Sequence, residues 1–183
     1  MKILLSDVRL AFPVLWKAKA IQDGEPSFSA SFILTPDNPG IKVLNDAFIK
    51  VAKEQWGDKA DAILKGLKAQ DRLALHDGAT KSQYQGYEGN FFVSTRSKTR
   101  PSVFDRNRAP LQEQDGKPYS GCYVNASIEL WAQDNKQFGK RINAQLRGVQ
   151  FLRDGDAFAA GSPASEDEFA DLGDQGDDTD PLA

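Results

Sequence analysis

The chain has one cysteine, Cys122, and one histidine, His76, among its 183 residues. A single thiol excludes an internal disulfide, and its place on an apolar stripe marks a buried thiol in a reducing compartment. No cluster of cysteine and histidine has metal-ligand spacing. The glycine-rich phosphate loop and the GxSxG nucleophile turn are missing as well. His76 stands alone in Leu75-His76-Asp77-Gly78, where a histidine serves as a surface hydrogen-bonder more readily than as a general base. Asp174, Asp177, Asp178 and Asp180 lack the spacing and glycine of an EF-hand. No apolar run approaches the roughly 18 residues that a membrane span requires. The start, MKILLSDVRLAF, reads as a first strand and not as a signal peptide. These absences predict a cytoplasmic protein that is not an enzyme and holds no cofactor or metal.

What is present is a division of charge. The chain carries 26 acidic and 23 basic residues. Eight of the acids and no base fall in residues 162–183: Glu166, Asp167, Glu168, Asp171, Asp174, Asp177, Asp178 and Asp180. Residues 1–161 therefore hold 18 acids against 23 bases, a net of +5. The tail has no helical period and too little apolar content to fold, so 159–183 is expected to be a disordered acidic extension of a folded body spanning 1–158.

The body alternates with a period of two, the signature of half-buried strands. In Tyr119–Ala132, residues Cys122, Val124, Ala126, Ile128 and Leu130 fall on one face. Tyr119, Tyr123, Asn125, Ser127, Glu129 and Trp131 fall on the other. In 141–147, Ile142, Ala144 and Leu146 face inward, and Arg141, Asn143, Gln145 and Arg147 face outward. Gly148 then switches the parity to Val149 and Phe151, which predicts a bulge. Residues 2–12 place Leu4, Val8, Leu10 and Phe12 together against Asp7 and Arg9. In 27–34, Phe28, Ala30, Phe32 and Leu34 point in, and Ser27, Ser29 and Ser31 form a small polar outer face. In 90–98, Phe91, Val93 and Thr95 oppose Phe92, Ser94, Arg96 and Lys98.

Two helices are expected between the second and third of these strands. Asn38 caps the first, with Pro39 at its first position and Ile41, Leu44, Phe48 and Val51 at helical spacing. Asp58 caps the second, with Ala62, Ile63 and Leu67 inward. Five strands with an inserted helical segment suit a mainly β fold, an OB-fold-like five-stranded Greek-key barrel. That fold usually carries its helix after the third strand, so a short further strand is sought within 70–89.

Aromatic and cationic side chains on one sheet surface suit single-stranded nucleic acid, because rings take bases and cations take phosphates. The phosphate candidates are Arg9, Arg96, Lys98, Arg100, Arg141 and Arg147. The stacking candidates are Tyr119, Tyr123, Trp131 and Phe92. Loops bearing Trp16, Lys17 and Lys19, and Lys136, Phe138, Lys140 and Arg141, would close over the groove. Between Lys81 and Arg108 there are six bases and two acids, with Tyr84, Tyr87 and Phe104 interleaved. Glu129 fits poorly on such a face unless it pairs with Arg141 or Arg147.

Several stretches carry a resemblance: Phe12-Pro-Val-Leu15, Ser29-Ala-Ser-Phe32, Gly86-Tyr-Glu-Gly89, Lys98-Thr-Arg-Pro101, Tyr119-Ser-Gly-Cys-Tyr-Val-Asn125 and Gly148-Val-Gln-Phe-Leu-Arg-Asp-Gly155. In these the chain resembles the small single-stranded-DNA-binding proteins of tailed bacteriophages, over about residues 3–158. The resemblance implies an OB-fold and sequence-tolerant coating of single-stranded DNA in phage replication or recombination, hence in the host cytoplasm. It also implies an acidic tail that competes with DNA and recruits replication or recombination proteins. Such tails often end in an aromatic residue, whereas this chain ends Asp180-Pro-Leu-Ala183 and Phe169 is the only aromatic of its tail. Weak duplex binding, and a monomer or a dimer, are both compatible with the sequence. Two rival readings are a strand-annealing recombination protein and a protein-interaction or virion module that never meets DNA.

Overall fold

The computed structural model describes residues 1–20 and 22–158. Seven strands and two helices follow one another along the chain: β1 (Lys2–Lys19), β2 (Ser27–Leu34), α1 (Gly40–Trp56), α2 (Ala60–Ala69), β3 (Leu75–Asp77), β4 (Phe91–Ser97), β5 (Ser102–Phe104), β6 (Tyr123–Asn135) and β7 (Gly139–Arg153). The sheet order is β3-β4-β2-β1-β6-β7-β5, and β4 also pairs with β7. That last pairing closes β1, β2, β4, β7 and β6 into a barrel. It is parallel, at Thr95↔Ala144 and Arg96↔Gln145, while every other pairing within the barrel is antiparallel. This is the OB-fold, with its helices between the second and third barrel strands. The short strand sought in 70–89 is β3, paired with the start of β4. The strand β5, parallel to β7 beyond Gly148, has no counterpart in the sequence pattern.

Parity held for β6 and β7. Cys122, Val124, Ala126, Ile128, Leu130, Ile142 and Leu146 are all buried. The pairing slips between Ser127↔Gly148 and Ile128↔Leu146, so Arg147 is the extra residue of a bulge beside the glycine. In β1 parity held at Val8 and Leu10, which are buried, and failed at Leu4 and Phe12. Leu4 and Phe12 are 63% and 50% exposed, while Ile3 and Leu5 are buried. The strand bulges between Leu5 and Val8 and between Ala11 and Val14, and its register on β2 shifts again between Val14 and Lys19. Each bulge advances the alternation by one residue, and each holds a residue in the left-handed region, Asp7 at φ 54° and Phe12 at φ 48°. The bends let one long strand pair with β6 through its first half and with β2 through its second.

Leu44, Phe48 and Ala52 of α1 are buried in the same core as the barrel interior. Asn38 accepts from Gly40 N–H at 2.8 Å, so it caps the helix from two residues outside. Asp58 does not cap α2, which starts after a short 3₁₀ turn with Ala60, not Ala62, buried. A satellite core of Ala11, Ile33, Tyr87 and Phe92, joined by Phe158, lies apart from the main core.

Candidate nucleic-acid interface

A groove of about 880 Å³ crosses the outside of β2, β4 and β7. Ser29 and Ser31 line its β2 side, and their small side chains let a ligand approach the sheet. Register carries the groove across the strands. Ser29 faces Arg96 on β4, Arg96 faces Gln145 on β7, and Asn143 faces Trp131 on β6. Arg141 lies two residues before Asn143 on the same face, as the alternation of β7 requires. Trp131 is 45% exposed and stands at the β6 end. Among the described residues neither Arg96 nor Arg141 has a carboxylate within ion-pair reach. Lys98 sits 2.8 Å from Glu25. Hydrogen bonding and charge attraction in this pair hold the Glu25 carboxyl low and the Lys98 ammonium high.

Supports outside the groove fix its rim. Arg72 donates to the carbonyls of Phe138 and Lys140, and the Trp56 indole donates to Asp134 at 2.8 Å. Together they hold the β6–β7 hairpin that carries Lys136, Phe138, Lys140 and Arg141. Lys140 itself lies 3.5 Å from Asp134. On the opposite rim Lys17 and Lys19 are exposed, and the Arg100 guanidinium lies over the half-buried Trp16 ring at 5.2 Å.

Several candidates lie elsewhere or are already occupied. Arg9 donates to the carbonyls of Gly121 and Asp156 and lies over the rings of Phe158 and Tyr123. Arg153 covers Tyr123 at 4.0 Å and pairs with Asp7. Two guanidiniums therefore already lie over the Tyr123 ring, and Arg9 is a clamp on the segment after β7. Tyr119 precedes β6 and packs on the core, with its hydroxyl donating to Asp154 at 2.7 Å. That hydrogen bond, then burial, pushes its pKa up. Phe92 is 3% exposed, covered by His76 at 5.0 Å, Tyr87 at 5.0 Å and the Lys81 ammonium. Strand parity assigns a side of the sheet, and these corrections arise because it does not show what is folded over that side. Arg147 pairs with Glu129 at 2.9 Å, the partnership its misplaced charge required.

The basic stretch from Lys81 to Arg108 divides in the same way. Lys81, Arg96 and Lys98 reach the groove, while Arg106 donates to the Leu152 carbonyl and Tyr87 is buried. Burial pushes the Tyr87 hydroxyl pKa up; it lies toward Ser31 but outside hydrogen-bond geometry. Sequence periodicity missed Phe12, Lys81 and His76 as lining residues. His76 is held by Asp71 at 2.7 Å. Nothing local signals Lys81 and His76: His76 sits on β3 opposite Phe92, and Lys81 ends the 3₁₀ turn that follows, with its ammonium over the Phe92 ring. The tail candidates, Glu166 through Asp180 with Phe169, lie outside the described residues. Among the described residues no three of His, Cys, Asp or Glu gather as a metal site, and no helix is long and apolar enough to cross a membrane.

The fold has counterparts among known proteins. The single-stranded DNA-binding protein of bacteriophage Enc34, solved in complex with single-stranded DNA, aligns with a TM-score of 0.72 and 29% identity, covering 86% of this chain and 89% of that one. The same protein solved in another structure aligns at 0.69 and 32% identity, covering 91% and 89%. The single-stranded DNA-binding protein gp2.5 of bacteriophage T7 shares the fold, at a TM-score of 0.59 and 15% identity over 94% and 98%. A putative protein p50 of Acyrthosiphon pisum secondary endosymbiont phage 1 is 46% identical over 176 residues, 94% of each chain. The family model of the Enterobacter phage Enc34 single-stranded DNA-binding protein matches residues 1–180. With nearly the whole chain matched and the barrel in common, the chain belongs to this phage single-stranded DNA-binding protein family.

Proposed function

We propose that the chain binds single-stranded DNA across the β2–β4–β7 groove without sequence specificity. Its place is phage DNA replication or recombination in the host cytoplasm. The observation that supports this best is the pairing of unneutralised Arg96 and Arg141 with exposed Trp131 in one groove. Guanidiniums on the neighbouring strands β4 and β7 suit a phosphate backbone, and an indole at the end suits a base. The serine floor offers no hydrogen-bonding pattern that would select one base. No bond is made or broken, so the protein acts as a coat and not as an enzyme. Arg96 and Arg141, which have no carboxylate partner among the described residues, give about two phosphate contacts and a slope of log affinity on log salt near −1.4.

The acidic tail is the second part of the reading. Eight carboxylates tethered to a body of net +5 are drawn to its cations. A tether of this kind holds them at an effective concentration near millimolar. DNA displaces the tail, which is then free to engage replication or recombination proteins. The test is a fluorescence-anisotropy titration of labelled oligo-dT at two salt concentrations, with the full chain and a chain ending at Gly161. Tighter, salt-sensitive binding by the shorter chain supports both parts. Equal binding removes the competing tail and keeps the DNA role. No binding by either chain at low salt overturns the DNA role.

A further inference from the structure

We propose that Phe12 and Tyr84 form a second base-stacking subsite at the end of the groove opposite Trp131. The DNA strand would then cross the barrel strands from one aromatic end to the other. The inference rests on the groove being the single-stranded DNA site, and it adds where the strand runs and how far.

The backbone makes the first argument. Phe12 adopts φ 48° inside β1, in a region that non-glycine residues rarely enter. The other bulge of the same strand puts Asp7 there, a residue type that tolerates the conformation. If the bulge at Phe12 served curvature alone, glycine, asparagine or aspartate would fill it with less strain. What phenylalanine adds is a ring, and the bulge turns that ring out of the barrel, where it lines the groove at 50% exposure.

Tyr84 makes the second argument. It lies edge-on to Phe12, with ring centroids 5.0 Å apart and planes at 83°, and is itself 44% exposed. In an edge-to-face pair the edge of one ring covers one face of the other, and with both rings about half exposed each still presents ring surface to the solvent. Lys81, beside it in the groove, supplies a cation for the neighbouring phosphate.

The register makes the third. From β1 the path crosses β2, β4 and β7 to β6, which is four strand-to-strand steps. At strand spacing that is roughly 19 Å measured around the barrel surface and not straight across it, because β1 also pairs with β6 to close the barrel. Arg96 lies near the middle of this path. The two aromatic ends therefore bracket the cations, and a strand long enough to span them gains a second stacked base that a shorter one cannot.

The proposal predicts a length-dependent effect. Full-length protein is titrated with labelled oligo-dT probes from roughly 4 to 16 nucleotides, the range of site sizes for one such barrel. Tyr84→Ala and Phe12→Leu are compared with the unaltered chain. The leucine keeps an apolar cover over Tyr87 and removes the ring face. Each change is expected to weaken the longer probes about fivefold or more and to leave the shortest unchanged. Phe12→Trp is expected to retain affinity for the longer probes. Thermal unfolding of each variant separates a packing defect from a lost contact. Equal affinity of the unaltered chain, Tyr84→Ala and Phe12→Leu at every length would overturn the subsite and leave the groove reading standing. If the unaltered chain bound no probe, both would fall.

Discussion

Two regions of the outer barrel surface carry the same residue types and do opposite things. In the groove, Arg96 and Arg141 have no carboxylate partner among the described residues, and Trp131 is exposed. Around Tyr123, by contrast, Arg9 and Arg153 sit over one ring, and their guanidiniums are taken by two carbonyls and by Asp7. A cation whose donors are already used gains little from a phosphate, because it must first give up those bonds. The first region is open to a ligand, and the second holds the chain's own segment 154–158 in place. Arginine beside an aromatic residue thus signals a binding site only when neither is already satisfied.

The comparison breaks most directly at the groove. Replacing Trp131 with alanine is expected to weaken oligo-dT binding by about fivefold to a hundredfold, the range for one stacked base. Arg96→Ala with Arg141→Ala should lower the salt slope by about 1.4. The arginine replacements should not move the unfolding midpoint much, since these side chains make no ion pairs among the described residues. Arg9→Ala is the counterpart in the clamp. A binding loss as large as that from the groove variants, with stability unchanged, would reverse the assignment of the two regions.

The clamp is broken at Gly121. Its φ is 105°, and a Cβ there would drive into the Asp156 carbonyl. Gly121→Ala is expected to destabilise the fold by roughly 2 kcal/mol or more, read by denaturant unfolding. Groove affinity per folded molecule should survive.

The next prediction concerns pH. Burial pushes the Cys122 thiol up from 9.0 to about 11. The folded state keeps its proton longer than the unfolded chain does. The contribution is therefore complete below pH 9 and is lost as pH rises toward 11, by on the order of 2–3 kcal/mol. Tyr87 and Tyr119 shift in the same direction, so the whole protein weakens over an alkaline range. Cys122→Ala should flatten only the cysteine portion, as the difference between the two stability–pH curves.

The smallest effect sharpens the boundary between the two regions. Glu129 occupies Arg147 at 2.9 Å, and both are partly exposed. Such a pair contributes about 0–1 kcal/mol to stability. Glu129→Gln is expected to leave the unfolding midpoint unchanged. It frees one more cation and tightens DNA binding by about twofold to threefold, with a steeper salt slope.

Legibility followed the regularity of the backbone. β6 and β7 pair with two register shifts, one at the glycine-marked bulge and one at Tyr123 where β6 begins, and their side-chain alternation stays regular, so Cys122 through Leu130 and Ile142 through Leu146 could be placed residue by residue. β1 could not, because the bulges at Asp7 and Phe12 carry no glycine to announce them. Arg96, Lys98, Arg141 and Trp131 were legible as outward groups and do meet in the groove. Phe92, Tyr119, Tyr123 and Arg9 were equally outward by parity and are covered or engaged. Tyr87 covers Phe92 from the loop just before β4, and the other covers, Asp154, Arg153 and Asp156, come from residues distant in sequence.

The amino-acid sequence by itself determined the inward face of most strands, the helical insertion before the third barrel strand and the separation of a basic body from an acidic tail. These follow from the period of two, the spacing of apolar residues on a helix and simple charge counting, all of which are local. Which outward residues stay free was decided only by the tertiary structure. The parallel closure of β4 on β7 brings Arg96 beside Gln145, about fifty residues apart in the chain. The segment after β7 returns over Tyr123 and uses up Arg9. A side chain's availability depends on what packs against it, and those neighbours are brought together by long-range pairing that no local pattern records.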